Sequence, residues 1–114
     1  MANILIMEDD FQHLDLLVEI LKFAGHKPFP AQNTGIAQKV LDENQIDFII
    51  TDITLPGMSG LDFMEELQKS GKKIPFVVLT GSLDPSDEER AKKLNVKAYF
   101  VKPVDPEKLL NSLK

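Results

Sequence analysis

Phe48-Ile49-Ile50-Thr51-Asp52-Ile53-Thr54-Leu55-Pro56-Gly57-Met58-Ser59-Gly60 joins a candidate strand to the turn that ends it. Its first four residues are apolar or β-branched, a run short enough for a buried strand. Asp52 closes that run. Leu55-Pro56-Gly57 is turn chemistry, because Pro fixes φ and Gly accepts backbone angles that other residues avoid. Asp52 is therefore expected where a strand emerges into a loop. In open parallel sheets that edge, the carboxyl ends of the strands, is where ligands bind. The plain alternative is that Asp52 only initiates a turn.

Working outward, the same pattern recurs. Ile4-Leu5-Ile6-Met7 is a continuous apolar run, as in a strand buried on both faces, and Glu8-Asp9-Asp10 follows at once. Phe11, Leu14, Leu17, Val18 and Leu21 then repeat at helical steps, with Asp10 as the starting cap and Gly25 as the stop. Phe11 is expected in the core or at its rim. His26 to Ala31 reads as an edge strand, since Pro28 and Pro30 cannot donate to a ladder. Asn33 or Thr34 caps a second helix whose buried side is Ile36, Val40 and Leu41. After the central stretch, Leu61, Phe63, Met64 and Leu67 mark a third helix ending near Gly71. Phe76-Val77-Val78-Leu79 is a fourth strand closed by Thr80, and Asp84-Pro85 opens the next helix. Ala98 to Val101 is a fifth strand closed by Lys102-Pro103, and Asp105-Pro106 opens a last helix through Leu109, Leu110 and Leu113.

Strand and helix alternate five times. Such alternation means an α/β fold with a parallel sheet covered by helices on both faces. The edge character of the second strand points to the order 2-1-3-4-5, a flavodoxin-like doubly wound (βα)5 sheet. Its winding reverses between the first and third strands, and the crevice there is the expected site.

Composition narrows the function. The chain has 114 residues, the size of one domain spanning 1–114. A net charge of -5 argues against nucleic acid as a direct partner, which needs a basic face. The absence of cysteine removes disulfides, thiolate catalysis and cysteine metal sites. The N-terminus lacks the basic flank of a secretion signal. No apolar run approaches the ~20 residues of a membrane span, so no membrane association and a cytoplasmic location are expected.

The residues that end the central runs are Glu8 and Asp9, Asp52, Thr80 and Lys102. Each alone has an ordinary explanation: solvated helix-start acids, a strand hydroxyl, a surface lysine. In the proposed order all of them converge on one sheet edge. Three neighbouring carboxylates repel one another unless a cation intervenes. Oxygen ligands without His or Cys select a hard ion such as Mg²⁺, which keeps several waters and often holds a phosphate oxygen. A carboxylate beside such an ion can attack phosphorus and form an aspartyl-phosphate. The metal and Lys102 would then neutralise charge on the transferred group, and Thr80 could donate to a phosphoryl oxygen. His13, one turn into the first helix, is read as a solvated surface histidine, and it shares no metal-ligand spacing with His26.

This ordered set resembles a bacterial response-regulator receiver domain of two-component signalling, chemotaxis-regulator-like, over nearly all of the chain. The resemblance implies roles. Asp52 matches the phosphoacceptor. Asp9 matches the direct Mg²⁺ ligand, Glu8 its water-mediated companion, and Thr54 the position lending a main-chain carbonyl to the metal. Thr80 matches the switch hydroxyl and Tyr99 the aromatic that changes rotamer with it. Lys102 matches the lysine of the pattern, and Lys102-Pro103 a bond usually cis in the family. Gly81 departs from the Ala often found there. Thr54 and Ser82 occupy positions that tune phosphoryl lifetime, and the last helix is short for the family.

The function so implied is a phosphoacceptor switch rather than an enzyme acting on an external substrate. A histidine kinase or histidine phosphotransfer protein would supply the phosphoryl group, and a downstream protein would read the altered surface. An alternative is the receiver fragment of a larger regulator, either a DNA-binding response regulator or a hybrid kinase. A small-molecule phosphatase with an Asp nucleophile usually has a second Asp two residues on, where this chain has Thr54. A flavin-type binder needs a phosphate loop after the first strand, where this chain has Glu8-Asp9-Asp10.

Overall fold

The apolar runs become five strands, each followed by a helix, in a computed structural model covering residues 1–114. The order is β1 (Asn3–Met7), α1 (Phe11–Phe23), β2 (Lys27–Ala31), α2 (Thr34–Glu43), β3 (Phe48–Thr51), then α3 (Gly60–Lys69), β4 (Phe76–Thr80), α4 (Pro85–Lys93), β5 (Ala98–Val101) and α5 (Pro106–Ser112). All neighbouring strands are parallel, in the order β2-β1-β3-β4-β5. The proline-bearing β2 lies at one edge, as a strand lacking two ladder donors must.

Alternation along each strand divides the core in two. Ile4, Ile6, Phe48, Ile50, Val77 and Leu79 point to one face, where Leu14, Leu17 and Leu21 of α1 and Leu109 of α5 cover them. Leu5, Met7, Ile49, Phe76 and Val78 point to the other, under α2, α3 and α4. The central strands read as unbroken apolar runs because both of their faces are buried.

Helix starts follow their caps. Asp10, Asn33, Ser59, Asp84 and Asp105 each accept a main-chain N–H from the first turn that follows. Gly25 and Gly71 follow α1 and α3 with φ of 88° and 91°, which a side chain resists. Two expectations need correction. Phe11 is 66% exposed rather than core or rim. Ile36 is 42% exposed, and the buried line of α2 is Ala37 and Leu41, one residue round the helix.

Candidate functional site

The register of β1 and β3 sets two carboxylates side by side. Met7 pairs with Thr51, so the next residues, Glu8 and Asp52, leave the sheet together. Asp52 N donates to Met7 O at 3.0 Å, and Glu8 N donates to Ala31 O at 3.0 Å, holding both strand ends down. Thr80 pairs with Val101 at the matching end of β4 and β5, and Lys102 N donates to Thr80 O at 2.8 Å. Lys102 thereby enters from the far edge of the sheet toward its middle. Its Nζ donates to Glu8 Oε1 at 2.6 Å and to Asp52 Oδ2 at 2.8 Å.

Glu8 and Asp52 are buried, while Asp9 is exposed. One carboxylate oxygen from each of the three lies within 4.8 Å of the others. Burial pushes the Glu8 carboxyl up, but hydrogen bonds from His13 and Lys102 outweigh it and hold the group below the usual glutamate range. Burial likewise disfavours the charged Lys102, and its hydrogen bonds to Asp52 and Glu8 outweigh that, raising the ammonium above its ordinary value. The site therefore keeps its charges by pairing them. A buried carboxylate pair held by one shared ammonium, with a third carboxylate open to solvent, is built to accept further positive charge.

A family model of the response regulator receiver domain matches residues 4–114. This chain belongs to the response regulator receiver family. Protein PilH of Pseudomonas aeruginosa is 30% identical over 115 residues, covering 99% of this chain and 95% of PilH. The phosphate regulon transcriptional regulatory protein PhoB of Escherichia coli is 30% identical over 114 residues. That match covers 98% of this chain and 50% of PhoB, so the chain spans about half the length of that relative. A crystal structure of a response regulator receiver protein from Pseudomonas putida superposes with a TM-score of 0.94 at 26% identity, covering 98% of this chain and 94% of that one.

In this receiver the oxygen-only donor set of Glu8, Asp9 and Asp52 is compatible with Mg²⁺. The remaining expected residues are arranged less tightly around the carboxylates. Thr54 is exposed, and its N–H donates to Asp52 Oδ1 at 3.3 Å. Thr80 is buried, and its hydroxyl oxygen accepts from Ser82 N at 3.1 Å. Ser82 Oγ in turn donates to Asp87 Oδ2 of α4 at 2.8 Å. Tyr99 packs against the α2–α4 side of the core, and its buried hydroxyl has no hydrogen-bond partner. Burial, then the carboxylates of Asp87, Glu88 and Asp84, keep that phenol above its usual pKa. The Lys102–Pro103 bond is cis.

Two residues of the site escaped the sequence reading. His13 is not a solvated surface histidine. Its side chain is 19% exposed, and Nδ1 lies 2.5 Å from Glu8 Oε1. The usable signal was the short Glu8-Asp9-Asp10 connection, which returns the first turn of α1 over the end of β1. Gly60 is the second. A Cβ there would lie 2.1 Å from Asp52 O, so α3 begins in direct backbone contact with the strand end that carries Asp52.

Proposed function

We propose that residues 1–114 form one receiver domain acting as a phosphoacceptor switch, with Asp52 as the acceptor. The donor is the phosphohistidine of a histidine kinase or a histidine phosphotransfer protein. An Asp52 carboxylate oxygen attacks phosphorus, a P–O bond forms, and the P–N bond breaks with its electron pair left on the donor imidazole. Asp9, Asp52, Glu8 and the Thr54 carbonyl would hold Mg²⁺, which would supply positive charge against the transferred group. Lys102 supplies a second cation and already rests on Asp52 Oδ2 at 2.8 Å. The new dianion then draws Lys102 off Glu8 and offers an acceptor to the Thr80 hydroxyl.

When Thr80 turns inward, its oxygen leaves Ser82 N, and the segment running into α4 loses an anchor. Tyr99, whose hydroxyl has no competing bond, is free to change rotamer with it. The surface of α4 and β5 is then what a downstream protein reads, in the cytoplasm. The chain acts on its own phosphorylation and dephosphorylation, not on an external substrate.

The observation that carries this reading is one ammonium bridging two buried carboxylates from different strand ends, with Asp9 beside them. Beryllofluoride with Mg²⁺, a phosphoryl mimic, tests it. Amide shifts near Thr80 and Tyr99 are expected by NMR, and none in Asp52→Asn. Shifts that survive in that variant would sink the mechanism. A second reading, the same receiver within a longer regulator, is favoured by the half-length match to PhoB. The parent open reading frame past codon 114 separates the two.

A further inference from the structure

We infer that His13 is a positioning residue of the acidic site, holding the Glu8 carboxylate in place so that the cluster is ready for a cation. The inference rests on the reading of Glu8, Asp9 and Asp52 as a cation site.

Glu8 Oε1 receives two side-chain donors, His13 Nδ1 at 2.5 Å and Lys102 Nζ at 2.6 Å, while Oε2 accepts from Asp10 N at 3.3 Å. Because that oxygen can only accept from His13, the proton sits on Nδ1. The Glu8 side chain is 2% exposed, so water does little to hold it. His13 is itself fixed from below. It is the third residue of α1, and its N–H, with that of Gln12, donates to the Asp10 cap. Asp10 also donates its own N–H to Glu8, so the loop that starts the helix and the helix's first turn clamp one carboxylate between them.

Lys102 cannot do this alone, because it is shared with Asp52. Whatever draws Lys102 toward Asp52 leaves His13 as the sole side-chain donor on Glu8. Without His13, a glutamate with three rotatable bonds, set among like charges, is free to swing. Its ordering must then be supplied at the moment the cation arrives. Hydrogen bonds that orient metal-binding carboxylates change metal affinity by about 10–100-fold.

The test is a Mg²⁺ titration of the whole chain by amide NMR, at one pH and one ionic strength, following Asp9, Asp52 and Lys102. His13→Ala is expected to weaken Mg²⁺ binding about tenfold or more. His13→Asn carries an amide nitrogen two bonds from Cβ, as Nδ1 is, and is expected to stay within about twofold of the parent chain. His13→Leu, a donorless residue that keeps the packing, serves the same comparison where the alanine variant does not fold. Affinity unchanged in the donorless variants, or equally weak in His13→Asn, overturns the proposal. If neither donorless variant folds, His13 serves packing and the proposal also falls. A parent chain whose Asp9 and Asp52 signals ignore Mg²⁺ overturns the underlying cation-site reading instead.

Discussion

Gly60 opens α3 and Gly81 follows β4, and their surroundings predict opposite outcomes. A Cβ on Gly60 would meet Asp52 O at 2.1 Å and Thr51 Oγ1 at 2.4 Å, atoms of a buried strand end that cannot retreat. Gly60→Ala is expected to cost about 1–3 kcal/mol, read as a lower urea midpoint at unchanged slope. Gly81 has open space around it and no left-handed φ. Gly81→Ala is expected to stabilise by about 0.4–1 kcal/mol by restricting the unfolded chain. At Glu8 the prediction concerns pH. Its carboxyl is held low in the folded state, so it contributes stability above the ordinary glutamate range and loses it as pH falls through the lowered value. The Lys102 contribution is already complete at those pH values, because its raised pKa brings loss only in strong base. Glu8→Gln should therefore flatten the acid limb of stability against pH. An unchanged limb would mean that other carboxylates carry it.

At the scale of elements, two polar ties on α4 are unlike each other. Arg90 reaches Asp62 at 2.5 Å and Glu65 at 3.2 Å on α3, with side chains 39%, 51% and 41% exposed. Solvent screens such a bridge, and Arg90→Ala is expected to cost under about 1 kcal/mol, less in high salt. The other tie is the chain of bonds from Thr80 through Ser82 to Asp87, at 3.1 and 2.8 Å. It joins the end of β4 to the first turn of α4. Ser82→Ala is expected to leave the denaturation midpoint nearly unchanged while hydrogen exchange quickens at the Asp84 amide, which donates to Ser82 Oγ at 3.2 Å, because only local opening becomes easier. Equal protection in that variant would show that the loop is held by other contacts.

For the whole molecule, Lys102 pairs with two of the three carboxylates gathered at the sheet edge, and Asp9 beside them has no ion pair. A cation that binds only the folded chain stabilises it by mass action, about 2.7 kcal/mol at a hundred times the dissociation constant. Thermal melts are expected to rise with Mg²⁺ in the parent chain and to stay flat in Asp9→Asn. A matching rise in that variant would place the ion elsewhere.

The order and direction of the elements were legible in the amino-acid sequence. Short apolar runs, capping residues such as Asp10, Asp84 and Asp105, and the prolines of β2 act within a few residues, so their meaning is local. The sequence also marked Glu8, Asp9, Asp52, Thr80 and Lys102, because each ends a strand and a parallel sheet gathers its strand ends at one edge. Tertiary structure alone decided how those side chains meet. Lys102 and Glu8 lie 94 residues apart in the chain, and their 2.6 Å contact depends on strand register. The seat of His13 on Glu8, the exposure of Ile36 and the backbone contact at Gly60 depend on how each helix is rotated over the sheet. A shift of one residue there turns a buried position outward, and no local preference is strong enough to set it.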